Sequence, residues 1–416
     1  ISQKMIDLIN YLHEQDLIDL HTGSELARRV TRIWPTSKLL KYFEEAKLDD
    51  LLINPHQDKE VIILNSGAVL DSEEETNNRR RHRPLEYKDE DYEPIVQMRQ
   101  DLRSYNELLR TTFIDIGSLK EPVIERTYWD RHQQKSVTQK VGINHFNKFV
   151  RRIFYRGSWE LGGRFHGGFW QQINEEDRAL ILIDDHETVE QDFSGLHINL
   201  CYGIQEQTPP EGDPYSLEHM FDVEAGEQRD WVKLLSLMVL NATDERAAFR
   251  AFRRSQPTGS IGKRLRDVEL SRLFNAFKDK HQPIQDMFCN DWGVRLMKLD
   301  GNITAEVINY FTNKKIPVLT IHDSYITPTH VTLELNDIMS AIVREQLNGL
   351  RINIDKEKIG DDEIPALNQD YINVADLKDL YLDDSRRTAR TETYFDRLYH
   401  HRDWLYYEEK PIYINL

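Results

Sequence analysis

The chain has 416 residues, 39% of them hydrophobic and 30% charged, enough for two or three domains around a substantial core. No apolar run reaches membrane-spanning length and no secretory signal is visible, so no membrane association is expected. Two cysteines, Cys201 and Cys289, are too few for a disulfide framework or a zinc cluster and suit a reducing cytoplasm, the expected location.

The formal net charge of −17 counts against nucleic-acid binding, which calls for a basic surface, but local fields matter more than totals and the basic residues are clustered. The sequence begins at Ile1, so an initiator Met or a longer N-terminus is expected to lie outside it.

Residues 1–65 read as mainly helical. Met5, Ile6, Leu8, Ile9 and Leu12 form an apolar stripe, and Ser24 is placed to cap a helix from Glu25 to Trp34. Another amphipathic segment surrounds Leu39, Leu40 and Phe43, and Glu60–Leu64 reads as a strand. From Asp71 to Arg83 an acidic triplet, Glu73 to Glu75, precedes the basic run Arg79 to Arg83; this reads as a solvated linker more readily than as a nucleic-acid-binding arm.

A helix is expected from Pro94 to about Thr111. Pro122–Trp129 and Lys135–Val141 alternate around a polar Asp130–Gln134 turn, a β-hairpin signature. Phe146 to Arg156, with Lys148, Arg151, Arg152 and Arg156, reads as an amphipathic basic helix suited to a phosphate backbone. It runs into the Gly- and aromatic-rich stretch Trp159 to Gln171, where Gly162 and Gly163 permit close backbone approach and Arg164 offers a planar fork for phosphate or ribose.

Thr188 to Tyr202 reads as a strand ending at Asp192, a Ser194–Gly195 turn, and a helix opened by Leu196 and Leu200. Arg229, Lys233, Leu237 and Asn241 fall at i, i+4, i+8 and i+12 on one helical face. Basic segments follow at 245–254 and 258–266, then a long helix over 268–288 and further helices at 292–299 and 302–311. Ile316 to Thr327 reads as two buried strands meeting at His322-Asp323-Ser324. A helix at 333–350 and an acidic, aromatic tail complete the chain.

Taken singly, Asp323 is explained as a turn former and the Arg229 helix as a core helix with two solvated charges. Taken together, two Asp residues on neighbouring strand ends can share magnesium, which takes oxygen ligands and leaves room for substrate phosphates. Two cations on one helical face can grip a triphosphate.

These residues carry a family resemblance. Asp192-Phe193-Ser194-Gly195-Leu196-His197 resembles motif A of the right-hand, family-A-type polymerases, and His322-Asp323-Ser324 resembles their motif C. Between them the Arg229–Asn241 segment has the motif B spacing. Glu160-Leu161-Gly162-Gly163-Arg164 resembles the D-x-x-G-R element of the single-subunit RNA polymerases of phages and mitochondria, with Glu for Asp. His197 stands where DNA-synthesising relatives usually carry Glu, and Asn241-Ala242 where the RNA enzymes carry Tyr and Gly.

The resemblance implies an α+β right-hand polymerase fold, with a palm antiparallel sheet, helical fingers and thumb elements, and a predominance of helix. The expected organisation is a small helical N-terminal domain over 1–70, a charged linker over 71–90, a helix plus hairpin over 91–157, and palm and fingers over 158–416. The implied reaction is DNA-directed RNA synthesis. Asp192 and Asp323 would hold two magnesium ions, Arg229 and Lys233 would bind triphosphate, and Lys233 would also act as an acid. Asn241 and His197 would lie near the sugar, and Gly163 and Arg164 would touch template. Expected partners are DNA template, RNA product, nucleoside triphosphates and, because the chain is short for this family, a second polymerase subunit or accessory protein, as in phage enzymes divided between two chains. A small phage or plasmid DNA polymerase and an inactive polymerase-fold scaffold are the alternatives.

Overall fold

The computed structural model describes residues 3–21, 32–46, 54–67, 83–130, 135–356 and 389–408. The chain divides into two compact units, Ile1–Gln57 and Asp58–Leu416.

In the first unit, α1 (Gln3–Glu14) leads into β1 (Ile18–His21), which pairs antiparallel with β2 (Arg32–Pro35); α2 (Ser37–Ala46) follows. The sequence pointed to helix up to Trp34, and this is corrected. Ile33 and Trp34 favour extended backbone, and Pro35 has no N–H to lend a helix. The proposed cap at Ser24, like the 71–82 part of the charged linker, lies outside the described residues.

The second unit opens with β3 (Ile62–Leu64) and α3 (Ile95–Thr111), which buries Ile95, Leu102, Tyr105 and Leu109. β4 (Ile114–Ile116) precedes the hairpin of β5 (Val123–Asp130) and β6 (Lys135–Gly142), paired along its full length with Thr127 opposite Thr138. Then comes β7 (Val150–Tyr155), where a basic helix was expected. Its burial alternates, with Val150, Arg152 and Phe154 inward, so the period is two and not 3.6.

The basic residues there are not a surface. Lys148 is buried and donates to the Thr112 carbonyl at 2.6 Å. Burial pushes its ammonium down to about 7. Arg152 donates through Nε to the Gly163 carbonyl at 2.8 Å and through Nη2 to Asn302 Oδ1 at 2.7 Å.

β7 pairs with β3 on one side and with β8 (Ser158–Gly167) on the other, the second pairing interrupted by a bulge. Gly162 and Gly163 carry φ of +80° and +85° at that bulge, a region open to glycine at little cost. After α4 (Glu175–Arg178) and β9 (Ile181–Ile183) comes β10 (His186–Phe193), the middle of the main sheet.

The helices α5 (Leu196–Ile204), α6 (Ala225–Asn241), α7 (Glu245–Ser255), α8 (Ile261–Arg264) and α9 (Asp267–Lys280) pack on a core that includes Trp231, Phe249, Phe252, Phe274 and Phe277. α10 (Gly293–Asn313) is one continuous helix where two were expected. Gly301 does not break it, because it serves a close approach: a Cβ there would stand 2.0 Å from the Gly163 carbonyl oxygen of β8.

β11 (Leu319–Ile321) and β12 (Ser324–Pro328) complete the sheet order β11-β12-β10-β9-β4, all pairs antiparallel. α11 (Thr332–Gln346) leads to β13 (Ile354–Lys356), which pairs with β10 beyond β9. Finally α12 (Glu392–Glu408) packs Tyr394 and Leu398 against Phe113 and Leu182, with Arg397 paired to buried Asp115 at 2.7 Å. Sheet and helices together make an α+β architecture. Among the described residues no helix is long and apolar enough to cross a membrane.

Candidate active site

Strand pairing places the two aspartates. Asp192 near the end of β10 lies opposite Ser324, the first residue of β12, so Asp323 stands in the turn just before that rung. His322 makes the turn with φ of 57°, uncommon for a side chain of its size. The Phe193 N–H donates to the Asp323 carbonyl at 3.5 Å, holding turn and strand end together.

On the other edge of β10, Asp355 of β13 is the register partner of Asp192. Three aspartates thus meet at one end of the sheet. Glu190, two residues back on the same face of β10, is committed elsewhere: it pairs with Arg178 at 2.9 Å and accepts the Ser324 hydroxyl.

This concentration of carboxylates is not neutralised within the protein. Burial pushes the Asp192 carboxyl up to about 8, helped by the charges of Asp323, Glu190 and Asp355, while Lys233 acts in the opposite direction. Asp192 Oδ1 is buried and has no hydrogen-bond partner among the described residues, a costly state for a carboxylate oxygen. A hard divalent cation fits such an oxygen-only donor set. Among the described residues no three His, Cys, Asp or Glu side chains converge tightly enough to enclose an ion by themselves.

α6 presents its cations to this end of the sheet. It buries Trp231, Val232, Leu235, Val239 and Leu240, leaving Lys233, Leu237 and Asn241 exposed. Lys233 forms no ion pair among the described residues, and its charge acts on Asp192. Arg229 pairs with Asp213 in the α5–α6 loop and lies 5.8 Å from the centre of the Tyr215 ring. Asn241, expected near the sugar, is committed within the protein. Its Nδ2 donates to the Leu237 carbonyl at 2.8 Å, and a Cβ on Gly293 would stand 2.1 Å from its Oδ1.

A second cluster borders Asp323 on the β8 side. Arg164 pairs with Asp300 of α10, whose side chain is 1% exposed, and donates to His197 Nε2 at 2.8 Å. Burial alone would push the Asp300 carboxyl up, but the neighbouring His197 and the Arg164 charge outweigh it and hold it below its ordinary value. The His166 ring stands edge-on to His322 at 5.5 Å; burial, followed by the charges of His322 and Arg164, pushes His166 down to about 4.

Gly163, Arg164 and His197 were expected at template and substrate. Their contacts here are internal: Gly163 is buried under α10, while Arg164 and His197 tie β8, α5 and α10 together. Asp192, Asp323 and Lys233 do come together. Arg229 joins them through Tyr215, a residue which also feels the charges of Asp323 and Asp192.

Sequence reasoning missed Asp355, Asp300 and Tyr215. Asp355 ends a short alternating run from Ile352 that is readable as a strand, whereas Asp300 is one of two acids in a helix of mixed composition and Tyr215 sits in a Pro-rich loop with no period.

No family model matches the chain, and no curated protein matches it. Among solved structures it shows a likeness to the POL domain of Pol1 from M. smegmatis in complex with DNA primer-template and dNTP, at 11% identity and a TM-score of 0.35. The match covers 51% of this chain and 47% of that one, so the chain aligns with about half of that protein's length. A likeness this slight does not bear on fold or function.

Proposed function

We propose that this chain is a nucleotidyltransferase with a right-hand polymerase core, joining nucleoside triphosphates on a nucleic-acid template. The observation that carries the reading is the meeting of Asp192 and Asp323 on paired strand ends, with an unpartnered carboxylate oxygen and the charge of Lys233 facing it.

Asp192 and Asp323 would hold divalent magnesium, which supplies charge stabilisation for the attacking and leaving oxygens of an in-line phosphoryl displacement. No closed protein cage is needed, because magnesium keeps water and substrate phosphates among its ligands. Lys233, exposed and near the carboxylates, binds the triphosphate and delivers a proton to departing pyrophosphate. Arg229 leaves Asp213 for the triphosphate when nucleotide enters.

The resemblance of Glu160–Arg164 to the D-x-x-G-R element favours RNA as product. Arg164 acts by fixing the β8 backbone against α10 and α5, so its influence on template is indirect. A DNA polymerase is the second reading, favoured by the short Asp192–Ser194 motif. A partner subunit for promoter opening is part of the proposal; promoter-specific initiation by a monodisperse monomer would remove it.

Primer extension on a single-stranded DNA template, with ribonucleotides and deoxyribonucleotides offered separately, tests the reading. Extension by ribonucleotides supports RNA synthesis, extension by deoxyribonucleotides supports the second reading, and extension by neither with partner factors present contradicts both.

A further inference from the structure

The α5–α6 loop contributes a residue that the motif comparison leaves out. Tyr215 is 9% exposed and its ring belongs to the helical core. A core tyrosine normally finds a partner for its hydroxyl. Tyr215 makes no hydrogen bond through its hydroxyl among the described residues, yet that oxygen is not sealed from solvent.

The hydroxyl is held at a defined place. It lies over Gly195, where a built Cβ would stand 3.6 Å from it, in the turn three residues after Asp192. The ring's other neighbour is the Arg229 guanidinium, 5.8 Å from its centre.

The loop itself is strapped down. Lys280 Nζ donates to the carbonyls of Asp213 and Ser216, each at 2.7 Å; His281 Nε2 lies 2.9 Å from the Pro214 carbonyl, and Asp213 Oδ1 accepts the Tyr215 N–H at 3.0 Å. Burial, and after it the charge of Asp323, pushes the phenol up to about 12, so it stays a donor at neutral pH.

We infer that Tyr215 is a specificity-determining residue whose hydroxyl contacts a sugar hydroxyl of the incoming nucleoside triphosphate. The inference rests on the nucleotidyltransferase reading. The carboxylates mark where the reacting phosphate sits, and Arg229 and Lys233 mark the rest of the triphosphate. The part of the nucleotide adjoining the reacting phosphate is the sugar, and Tyr215 offers a hydroxyl beside that position with no hydrogen bond among the described residues. Asn241, the position the resemblance assigns to sugar reading, spends one amide N–H on the Leu237 carbonyl and has its carbonyl packed on Gly293.

The test compares binding of non-hydrolysable α,β-methylene ribo- and deoxyribonucleotides to the full chain with primer-template and magnesium, for wild type and Tyr215→Phe. The expected result is a change of about threefold to tenfold in the ratio of the two dissociation constants, the worth of one neutral hydrogen bond, with the melting temperature unchanged. A purely structural tyrosine would move the melting temperature and leave the ratio alone. An unchanged ratio in a protein that binds nucleotide overturns the role of Tyr215 and leaves nucleotidyl transfer standing. Failure of the wild type to bind either analogue overturns both.

Discussion

Arg164 of β8 and Asp300 of α10 form an ion pair in which the carboxylate is almost wholly removed from solvent, 1% exposed, while the guanidinium is shared with His197. Three elements therefore meet at one charge pair behind the His322–Ser324 turn. Breaking such a pair from one side costs about 3–5 kcal/mol, because a charge is left buried alone. Arg164→Ala is expected to be the more damaging single change, since it strands the deeper charge. Joint replacement by Arg164→Leu and Asp300→Leu is expected to recover part of the loss. Urea midpoints of Arg164→Ala, Arg164→Leu, Asp300→Leu and the double variant check this; strictly additive losses of the two Leu changes would contradict it.

The carboxylate end of the sheet carries more negative charge than the protein compensates. Magnesium is therefore expected to raise the melting temperature of the wild type, by up to about 2.7 kcal/mol of stabilisation at a hundredfold excess over Kd. Asp192→Asn removes both the repulsion and the ligand. It is expected to be more stable than wild type without metal and insensitive to magnesium. Calorimetry with and without the ion reads both effects.

How much of this was legible in the sequence depended on whether the signal was local. Asp323 stood out because it follows an apolar β-branched run, and Asp192 because a strand ends there just ahead of a Ser194–Gly195 turn. The stretch around β7 misled, because its basic residues were taken to face water, whereas Lys148 and Arg152 spend their donors on buried carbonyls and on Asn302. Asp355 and Tyr215 depend on chain returns across long separations, which no local period encodes. Arg164 was noticed for its chemistry, but its partner Asp300, 136 residues away, had no local signature.

Charge on α6 makes a kinetic prediction. Lys233→Ala is expected to lower kcat and raise KM for nucleotide, because it loses both a binding contact and a proton donor. Arg229→Ala is expected to raise KM chiefly. A charged hydrogen bond is worth about 1.5–3 kcal/mol, or roughly tenfold to a hundredfold. Steady-state kinetics at saturating template separate the two; equal effects of both changes on kcat would contradict the assignment.

His401 sets an acid limit on the C-terminal helix. It is buried beside Phe113 and Trp404, and its Nε2 has no hydrogen-bond partner among the described residues. Burial, reinforced by the charge of Lys148, pushes its imidazole down to about 3. The folded state thus holds it neutral while the unfolded chain takes up a proton below its ordinary value of 6.5. Stability from this residue is full above that pH and is lost as pH falls towards 3. His401→Phe keeps the ring packing and removes the titration, so its melting temperature is expected to fall less than that of wild type between pH 7 and pH 4.5.

Exposed Arg246 and Arg250 lie one turn apart on α7, and neither forms an ion pair among the described residues. They suit a phosphate backbone in a chain otherwise strongly acidic. Replacing both by Ala is expected to weaken binding to single-stranded DNA regardless of sequence and to lower the salt slope by about 2. Fluorescence anisotropy across a salt series reads the slope; an unchanged slope places the template elsewhere.

The most direct test of the central claim is single-nucleotide incorporation on a primed DNA template with magnesium, comparing wild type with Asp323→Asn. The expected result is incorporation of the base complementary to the template by wild type, and its loss in a variant that melts as a folded protein. Undiminished incorporation by Asp323→Asn would contradict the assignment of the paired aspartates as the catalytic centre.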